Sequence, residues 1–588
     1  MPSCQSVIMK RRSPTTAEPS LLVKSVFLIV LAATSGLHAS TLGTDVALLP
    51  SVETQGASTP DASSAFSSAL RQIAGAGKLP DLRWPDFSDY RIHVTNLYDS
   101  IGYAPAWLNN NEPTQQAQAV IDVLKEADSK GLNAEDYDAS RWADRMARLR
   151  QSPSSEDRAR FDAALTVCVM RYVSDLHIGR VNPQHFKFNL NVSAKKYDLP
   201  SFLRDKLIHG ADIRVELDQV EPPFAGYKRT QQALQRYINL SRQDDGEQLP
   251  VPVKPVEPGS VYDGTPRLTR LLRLLGDLPE SAASGNENVY DSPLVDAVKH
   301  FQARHGLTPD GRLGAQTLKQ LNTPLSFRVE QLRLTLERWR WIPFQFTQPP
   351  IVVNIPEFRL RAYNQDGTIG LRMNVIVGKA YRHQTPVFER EMKYVVFRPY
   401  WNVPPSIQRS EIVPAIRKDR DYIAKKGFEV VTPQGSVVTS GTINDDILQQ
   451  LSAGKLLVRQ KPGPTNALGL VKLMFPNEYN VYLHSTPSPQ LFSQSRRDFS
   501  HGCIRVEKPA ELAAWVLRDK PDWSLERVRA AMETGKDNVQ VNLTNPVPVL
   551  ILYGTAVVYE DNQVHFFDDI YGYDSELEKV LARGYPYP

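Results

Sequence analysis

The chain has 588 residues, a length that exceeds one hydrophobic core and predicts three or four domains. Its composition is that of a globular protein, with 41% hydrophobic residues, 23% charged residues and a formal net charge of only +4. Its Lys and Arg residues form no block that would follow a phosphate backbone, so the sequence gives no case for nucleic-acid binding.

The N-terminus predicts export. Four basic residues precede a short apolar run at 26–33, and small residues follow it; the basic residues are Lys10, Arg11, Arg12 and Lys24. This layout is typical of a secretory signal peptide, which we place at residues 1–39, and the run is short for a membrane span. We therefore expect an exported protein, in the periplasm of a Gram-negative bacterium, without a stable transmembrane anchor after signal cleavage.

Cysteine usage singles out one thiol. Cys4 lies in the predicted signal peptide, so the mature chain would keep Cys168 and Cys503, too few for a disulfide framework. Cys168 lies in an apolar helical stretch and is predicted to be a small buried hydrophobic residue. Cys503 lies among Gly, His and Arg residues, which is where chemistry is expected.

The pattern along the chain predicts a series of modules. A flexible leader is expected at 40–85, a helical region at 86–248 and a linker with four prolines in ten residues at 249–262. Helical periodicity then predicts a three-helix module at 263–324 and a connecting helix at 325–345.

After Pro349 short β-branched and aromatic runs replace the helical pattern. They predict a β-rich domain at 346–575, interrupted by an α-rich insertion at 401–470 and followed by a C-terminal tail at 576–588. The predicted fold class is therefore multi-domain α+β, with helical modules first and a β-rich domain after them.

One constellation near the C-terminus carries chemistry. His484 lies sixteen residues before the segment Ser500-His501-Gly502-Cys503, and Arg505 follows two residues later. A thiol, imidazoles, a glycine and a guanidinium are the parts of a cysteine acyl-transfer site, in which a thiolate attacks a carbonyl and a base handles the proton. No His/Asp/Glu group has the spacing of metal ligands, so we expect neither a metal nor another cofactor.

This constellation resembles the active-site signature of the bacterial L,D-transpeptidases. The flanking strands fit as well, among them 351–355, 375–379 and 385–388. Residues 263–324 resemble a peptidoglycan-binding domain, and 90–245, with the segment 176–183, resemble the scaffold domain of the large members. Many members carry Asn where this chain has Arg505, although the large periplasmic members often have Arg.

The resemblance implies roles for the central residues. Cys503 would be the nucleophile and His484 the general base, oriented by the backbone carbonyl of Ser485. His501 would shape the site, and Gly502 would allow the tight backbone approach by which N–H groups near Cys503 face the oxyanion.

The expected substrate-binding residues have alternatives. Arg505 is expected to hold a substrate carboxylate or the catalytic loop, and the alternative is an ion pair with Glu507 or another acid. Ser500 is placed with the substrate-binding residues, although hydrogen bonding within the turn is expected of it. Three aromatic side chains are candidates for the groove, with core packing as the alternative: Tyr482, Trp401 and Tyr400. The insertion at 401–470 resembles the capping subdomain of the large members and would act as a lid.

The implied reaction is a ping-pong acyl transfer between peptidoglycan tetrapeptide stems, as donor and acceptor. Cys503 would release D-Ala and form a thioester, which the side-chain amine of a second stem resolves into a 3→3 cross-link. Carbapenems are the expected inhibitors, and other cell-wall synthesis proteins are candidate partners. The alternatives are an L,D-carboxypeptidase, a transpeptidase that attaches a lipoprotein lysine, and a non-catalytic wall-binding protein.

Overall fold

The computed structural model of the protein describes residues 62–151, 153–282, 288–381 and 383–584. The signal peptide expected at 1–39 and the first part of the expected leader lie outside these ranges. None of the helices within them combines the length and apolar composition that a bilayer crossing requires. The predicted fold class is confirmed, since helices fill the N-terminal part and a β-rich domain follows.

The N-terminal region packs around one long helix. Its elements are α1 Ala62–Ala76, α2 Arg91–Ser100, β1 Leu108–Asn109, β2 Glu112–Pro113, α3 Gln115–Lys125, α4 Trp142–Leu149, α5 Ser155–Ile178, α6 Leu199–Phe202, α7 Ile213–Asp218 and α8 Ala225–Gln243. Helix α5 is central because apolar side chains surround much of its axis, and a capping box between Ser154 and Asp157 starts it.

The prediction of a flexible leader at 40–85 is wrong from residue 62 onward. Helix α1 packs against α5, and Phe66, Leu70 and Ala74 are each at most 2% exposed. A spacing of four residues puts these side chains on one helical face. The Ser- and Ala-rich composition therefore concealed an amphipathic helix.

The helical module consists of α9 Thr265–Leu275, α10 Ser292–Arg304 and α11 Ala315–Leu321, and α12 Leu325–Arg340 follows it. Gly311 has a φ of +73°, and a Cβ there would lie 2.8 Å from the Val295 side chain, so this turn requires glycine. The Pro-rich segment before the module is packed onto it: Leu249 and Val256 are buried, and Val256 pairs with Leu313.

The remaining strands and helices belong to the C-terminal half of the chain. The strands are β3 Ile351–Asn354, β4 Arg359–Tyr363, β5 Ile369–Gly378, β6 Phe388–Phe397, β7 Trp401–Asn402, β8 Phe428–Val431, β9 Val437–Thr439, β10 Leu457–Gln460, β11 Val471–Met474, β12 Leu483–His484, β13 Asp498–Ser500, β14 Ile504–Val506, β15 Val539–Leu552, β16 Ala556–Val558 and β17 Val564–Phe566. The helices are α13 Pro405–Ile407, α14 Val413–Lys418, α15 Tyr422–Lys425, α16 Asp445–Ser452, α17 Pro509–Val516, α18 Leu525–Glu533 and α19 Tyr573–Leu581.

The main sheet closes on itself. Its strand order is β13-β5-β14-β12-β11-β6-β15-β3-β4, and β4 also pairs with β5, which makes a barrel. Alternate side chains fill its interior with Val, Ile, Leu and Phe, among them Val353, Val375 and Leu473. Strands β12 and β14 lie side by side in this sheet, so the barrel brings the His484 and Cys503 segments together.

The insertion between β6 and β11 forms its own subdomain. Strands β7, β10, β8 and β9 make a separate sheet in that order, and α13 to α16 pack on it around Ile416, Val430 and Leu451. The expected α-rich insertion is present, and the sheet within it was not predicted. We call this unit, residues 401–470, the capping subdomain.

The C-terminal end is more ordered than predicted. Strands β16 and β17 form a separate hairpin that packs against α8, α12 and the helical module. The prediction of a C-terminal tail beginning at residue 576 is wrong, because α19 extends to Leu581 and Leu577 is 1% exposed.

Candidate active site

The two thiols have different surroundings. Cys168 is 1% exposed inside the helical region, and burial raises its pKa, as expected for an inert core residue. Cys503 is half-buried and lies directly before β14. The prediction of a buried structural Cys168 is confirmed.

Strand register places the motif residues in one row. Strands β12 and β14 are parallel, with His484 opposite Arg505, and Lys472 of β11 lies opposite His484 on the other side. Directly opposed residues point to the same face of a sheet, and alternation adds Cys503, two residues before Arg505. The thiol, the imidazole and two cations therefore share one face of the barrel.

His484 is held as a neutral imidazole. It is 4% exposed, and its Nδ1 lies 2.6 Å from the carbonyl oxygen of Ser485. Burial and the charge of Arg505 lower its pKa to about 3, although carbonyls of Ser485 and Leu468 act in the opposite direction. A proton on Nδ1 leaves Nε2 as the basic nitrogen of the ring. The expected Ser485 contact is present, and its catalytic role stays a prediction.

Cys503 is held as a thiol at rest. Its Sγ lies 3.5 Å from the carbonyl oxygen of Asn480, and the Tyr482 hydroxyl hydrogen-bonds to it. Burial raises its pKa, while Tyr482 and the charges of Lys472 and Arg505 lower it. The net direction is upward, so the thiolate forms only when a base takes the proton.

Hydrogen bonds hold the turn that carries the nucleophile. The Gly502 N–H donates to Ser500 Oγ at 3.1 Å, Ser500 Oγ donates to the Cys503 carbonyl at 2.5 Å, and Thr385 Oγ1 donates to the Gly502 carbonyl at 2.8 Å. Gly502 has a φ of +115°, which favours glycine. Ser500 is 2% exposed, so it supports the turn and its burial argues against a substrate contact.

Arg505 is a cation without an acidic partner among the described residues. Its Nε is buried and has no hydrogen-bond partner there, and burial lowers its pKa. The alternative in which it pairs with Glu507 is wrong, because that carboxylate accepts bonds from the backbone N–H and Nδ2 of Asn374, at 2.9 and 3.2 Å. Arg505 is therefore available to an anion at the site.

His501 connects the catalytic turn to the capping subdomain. Its Nε2 lies 2.6 Å from Glu411 Oε1, in the π-helical turn 408–412, and its ring centroid is 4.9 Å from that of His383. The Glu411 contact reaches the capping subdomain, and the His383 contact reaches the loop between β5 and β6. The role of His501 in shaping the site and that of His484 as the base stay predictions.

The aromatic candidates separate into two groups. Tyr482 borders the thiol, as described above. Trp401 packs on Phe428 of the capping subdomain, with ring centroids 6.1 Å apart, which favours the packing alternative. Tyr400 lies under the guanidinium of Arg459 at 4.3 Å, in the wall of a cavity that Lys472 also lines.

Sequence reasoning missed three residues that contact the site. Lys472 directs a positive charge at Cys503, and its signal was a lysine inside an apolar strand. Thr385 anchors the catalytic turn, and Glu411 binds His501. Both partners are about ninety or more residues from the turn in sequence, so no local pattern connects them to it.

The site combines a neutral thiol, a neutral imidazole and two cations, Arg505 and Lys472, that have no acidic partner in the described part of the chain. Such a set can pass the thiol proton to the imidazole and stabilise the sulfur anion and the oxyanion that follow. Among the described residues, no group of three or more His, Cys, Asp or Glu side chains is placed to hold a metal ion.

Comparisons with protein families agree with the three parts of the chain. Residues 349–549 match the family model described as "L,D-transpeptidase catalytic domain", residues 266–321 match "Putative peptidoglycan binding domain", and residues 93–234 match "Scaffold domain". The chain is therefore similar to a peptidoglycan-binding domain in residues 266–321 and to an L,D-transpeptidase catalytic domain in residues 349–549.

A comparison with curated proteins also finds a similarity to an L,D-transpeptidase. A protein of Haemophilus influenzae named "Putative L,D-transpeptidase" is 33% identical over 299 residues, which cover 50% of this chain. The chain spans 59% of the length of that relative.

Proposed function

We propose that the protein is an L,D-transpeptidase that forms 3→3 cross-links between peptidoglycan tetrapeptide stems through a thioester on Cys503. One observation carries the proposal: parallel strands β12 and β14 hold His484 and Cys503 on one face of a barrel that matches the L,D-transpeptidase catalytic domain. The peptidoglycan-binding domain supports peptidoglycan as the substrate.

The first half-reaction is acylation of the enzyme. His484 takes the proton from Cys503, and the sulfur attacks the carbonyl carbon of the third stem residue, diaminopimelate. The C–S bond forms, the amide C–N bond breaks, and D-Ala leaves with the proton from the imidazole. The Gly502 N–H already donates to Ser500 Oγ, whereas the Cys503 N–H has no partner among the described residues. The Cys503 N–H is therefore our candidate donor to the oxyanion.

The second half-reaction resolves the thioester. The side-chain amine of a second diaminopimelate attacks the thioester carbonyl, a C–N bond forms and the thiolate leaves. His484 accepts a proton from the amine and returns it to Cys503. Arg505 and Lys472 stabilise the thiolate when it leaves, since neither has an acidic partner among the described residues.

The capping subdomain supports an amine acceptor over water. It contacts the catalytic turn through the His501–Glu411 hydrogen bond, so it stands at the entrance to the thioester. A cover of this kind excludes water and slows hydrolysis. A bare site would favour the L,D-carboxypeptidase reaction instead.

The test uses disaccharide-tetrapeptides with the full mature chain and with Cys503→Ala. Mass spectrometry should show a cross-linked dimer, free D-Ala and a Cys503 acyl-enzyme with the unmodified chain, and none of these with Cys503→Ala. A carbapenem should add its mass to Cys503 in the same way.

Other products would select the alternatives. Tripeptide without dimer would indicate an L,D-carboxypeptidase, and products formed only with a lysine-bearing lipoprotein peptide would indicate protein attachment. The absence of every product, with retained binding to sacculi, would leave a wall-binding protein.

A further inference from the structure

A cavity of about 260 Å³ lies between the barrel and the capping subdomain. The barrel supplies Lys472, Tyr394 and Gln540 to its wall, and the capping side supplies Tyr400 and Arg459. None of these residues takes part in the chemistry proposed for Cys503, except that the charge of Lys472 reaches the thiol.

Strand register connects this cavity to the nucleophile. Lys472 lies opposite His484 on one side and opposite Val396 on the other, and Val396 lies opposite Gln540. These residues therefore continue the row that begins with Arg505. With strands about 4.8 Å apart, the β6 wall of the cavity is about 10 Å from the strand of His484. A bound peptide can span that distance with three residues.

The cavity carries positive charge. Among the residues that the structure describes, two cations line it and no Asp or Glu does. Glu429 accepts a hydrogen bond from Nε of Arg459. The two terminal nitrogens of Arg459 have no hydrogen-bond partner among the described residues. The Cζ atom of Arg459 lies over the Tyr400 ring, 4.3 Å from its centroid. Lys472 has no acidic partner among the described residues, and burial lowers its pKa.

We propose that this cavity binds a carboxylate of a peptidoglycan stem peptide while another part of the bound peptide lies at Cys503. The inference rests on the proposed function. Stem peptides carry carboxylates within a few bonds of the reacting carbonyl or amine, and an oriented guanidinium with an ammonium group is a strong carboxylate binder. The carboxylate belongs to the donor stem or to the acceptor stem, and kinetics separate the two.

The donor test measures formation of the Cys503 acyl-enzyme by intact mass against tetrapeptide concentration. Arg459→Gln and Gln540→Glu should each raise the half-saturating concentration about three- to tenfold, with the limiting rate unchanged. The half-saturating concentration should rise more in Gln540→Glu than in Gln540→Ala, which separates the added charge from the lost side chain. Lys393→Gln, which removes an exposed cation from β6 outside the cavity, is the matched control.

The acceptor test starts from a preformed acyl-enzyme and varies the acceptor stem. If the carboxylate belongs to the acceptor, the same two variants raise the half-saturating acceptor concentration and leave acylation alone. Stems in which one carboxylate at a time is amidated identify the group that binds. Amidation of that carboxylate should weaken binding to the wild type. Arg459→Gln should then weaken binding of the same amidated stem no further.

Two measurements show whether a change in half-saturation has another cause, namely a damaged thiol or a destabilised fold. Alkylation of Cys503 by iodoacetamide should be equally fast in the wild type and both variants, which shows that the thiol is intact. Arg459→Gln leaves Glu429 unpaired and can lower the melting temperature. If it does, the result for Gln540→Glu decides whether the cavity binds a carboxylate, because Gln540 is exposed and its substitution breaks no buried ion pair. Unchanged half-saturation in both tests would overturn the proposal. Absence of acylation in the wild type would overturn the proposed function instead.

Discussion

Thr385→Val tests how the barrel holds its nucleophile. Thr385 is fully buried; its Oγ1 accepts the Gly378 N–H at 2.9 Å and donates to the Gly502 carbonyl at 2.8 Å. Valine has nearly the same shape and removes both bonds. The substitution therefore removes the side-chain connection between the end of β5 and the turn before Cys503 without opening a cavity. The backbone bond from the Lys379 N–H to the Ser500 carbonyl remains.

The magnitude follows from the two groups left behind. The Gly378 N–H and the Gly502 carbonyl would each stay buried without this partner, at about 1–3 kcal/mol for each. We expect the free energy of unfolding to fall by about 2–6 kcal/mol. The turn would also move, and a displacement of the order of 1 Å at a nucleophile can reduce the rate about 100-fold.

The assay pairs stability with chemistry. Urea unfolding gives the loss of stability, and acyl-enzyme formation well below the melting temperature gives the rate. Thr555→Val is the matched control: Thr555 is also fully buried and donates to Asp574 Oδ2 at 2.5 Å, outside the catalytic turn. It should destabilise the protein and leave the acylation rate within about twofold of the wild type.

Two results would refute this reasoning. If Thr385→Val acylates like the wild type, the turn does not depend on this anchor. If both variants lose rate in proportion to stability, the loss reports unfolding and no positioning role for Thr385.

Three further predictions follow. Gly502→Ala should cost about 1–3 kcal/mol from its φ of +115° alone, since the nearest atoms would be 3.9 Å from the new Cβ, and acylation should fall; an unchanged rate would contradict the strained turn. Alkylation of Cys503 by iodoacetamide should rise with an inflection above the ordinary thiol pKa of about 8.5, because burial raises the pKa of this thiol; an inflection below pH 7 would contradict it. Burial acts to raise the pKa of Glu357, but Arg361 outweighs it and holds that pKa at about 2, below the unfolded value. This stabilisation is present above about pH 4.5, and about 3 kcal/mol of it is lost as the pH falls towards 2. Between pH 5 and 2, urea unfolding should therefore show a smaller loss of stability in Glu357→Gln than in the wild type. Equal losses in the two proteins would refute this prediction.

The sequence alone was enough to predict the parts of the site that are local. His484, its contact with the next carbonyl, and the turn at Ser500 to Cys503 lie within a few residues of one another or within a recognisable spacing. The helices of the central module followed from apolar periodicity. These features depend on neighbours in sequence, which a motif records.

What sequence reasoning missed depends on distant pairing. Lys472 joins the site because β11 pairs with β12, and Thr385 because its loop crosses the catalytic turn. The Glu507 alternative for Arg505 was wrong because Asn374, 133 residues from Glu507, binds that carboxylate. Helix α1 was missed for another reason, since small polar residues between its apolar positions resembled a flexible segment.

The charges around Cys503 have a common explanation. A thiol with a raised pKa beside an imidazole with a lowered pKa makes a neutral pair, so proton transfer between them is uphill until the sulfur attacks a carbonyl. Unpaired cations reduce that cost because they favour the sulfur anion and the oxyanion. An acidic partner on Arg505 would cancel this field. Glu507, the nearest carboxylate in sequence, instead accepts hydrogen bonds from Asn374.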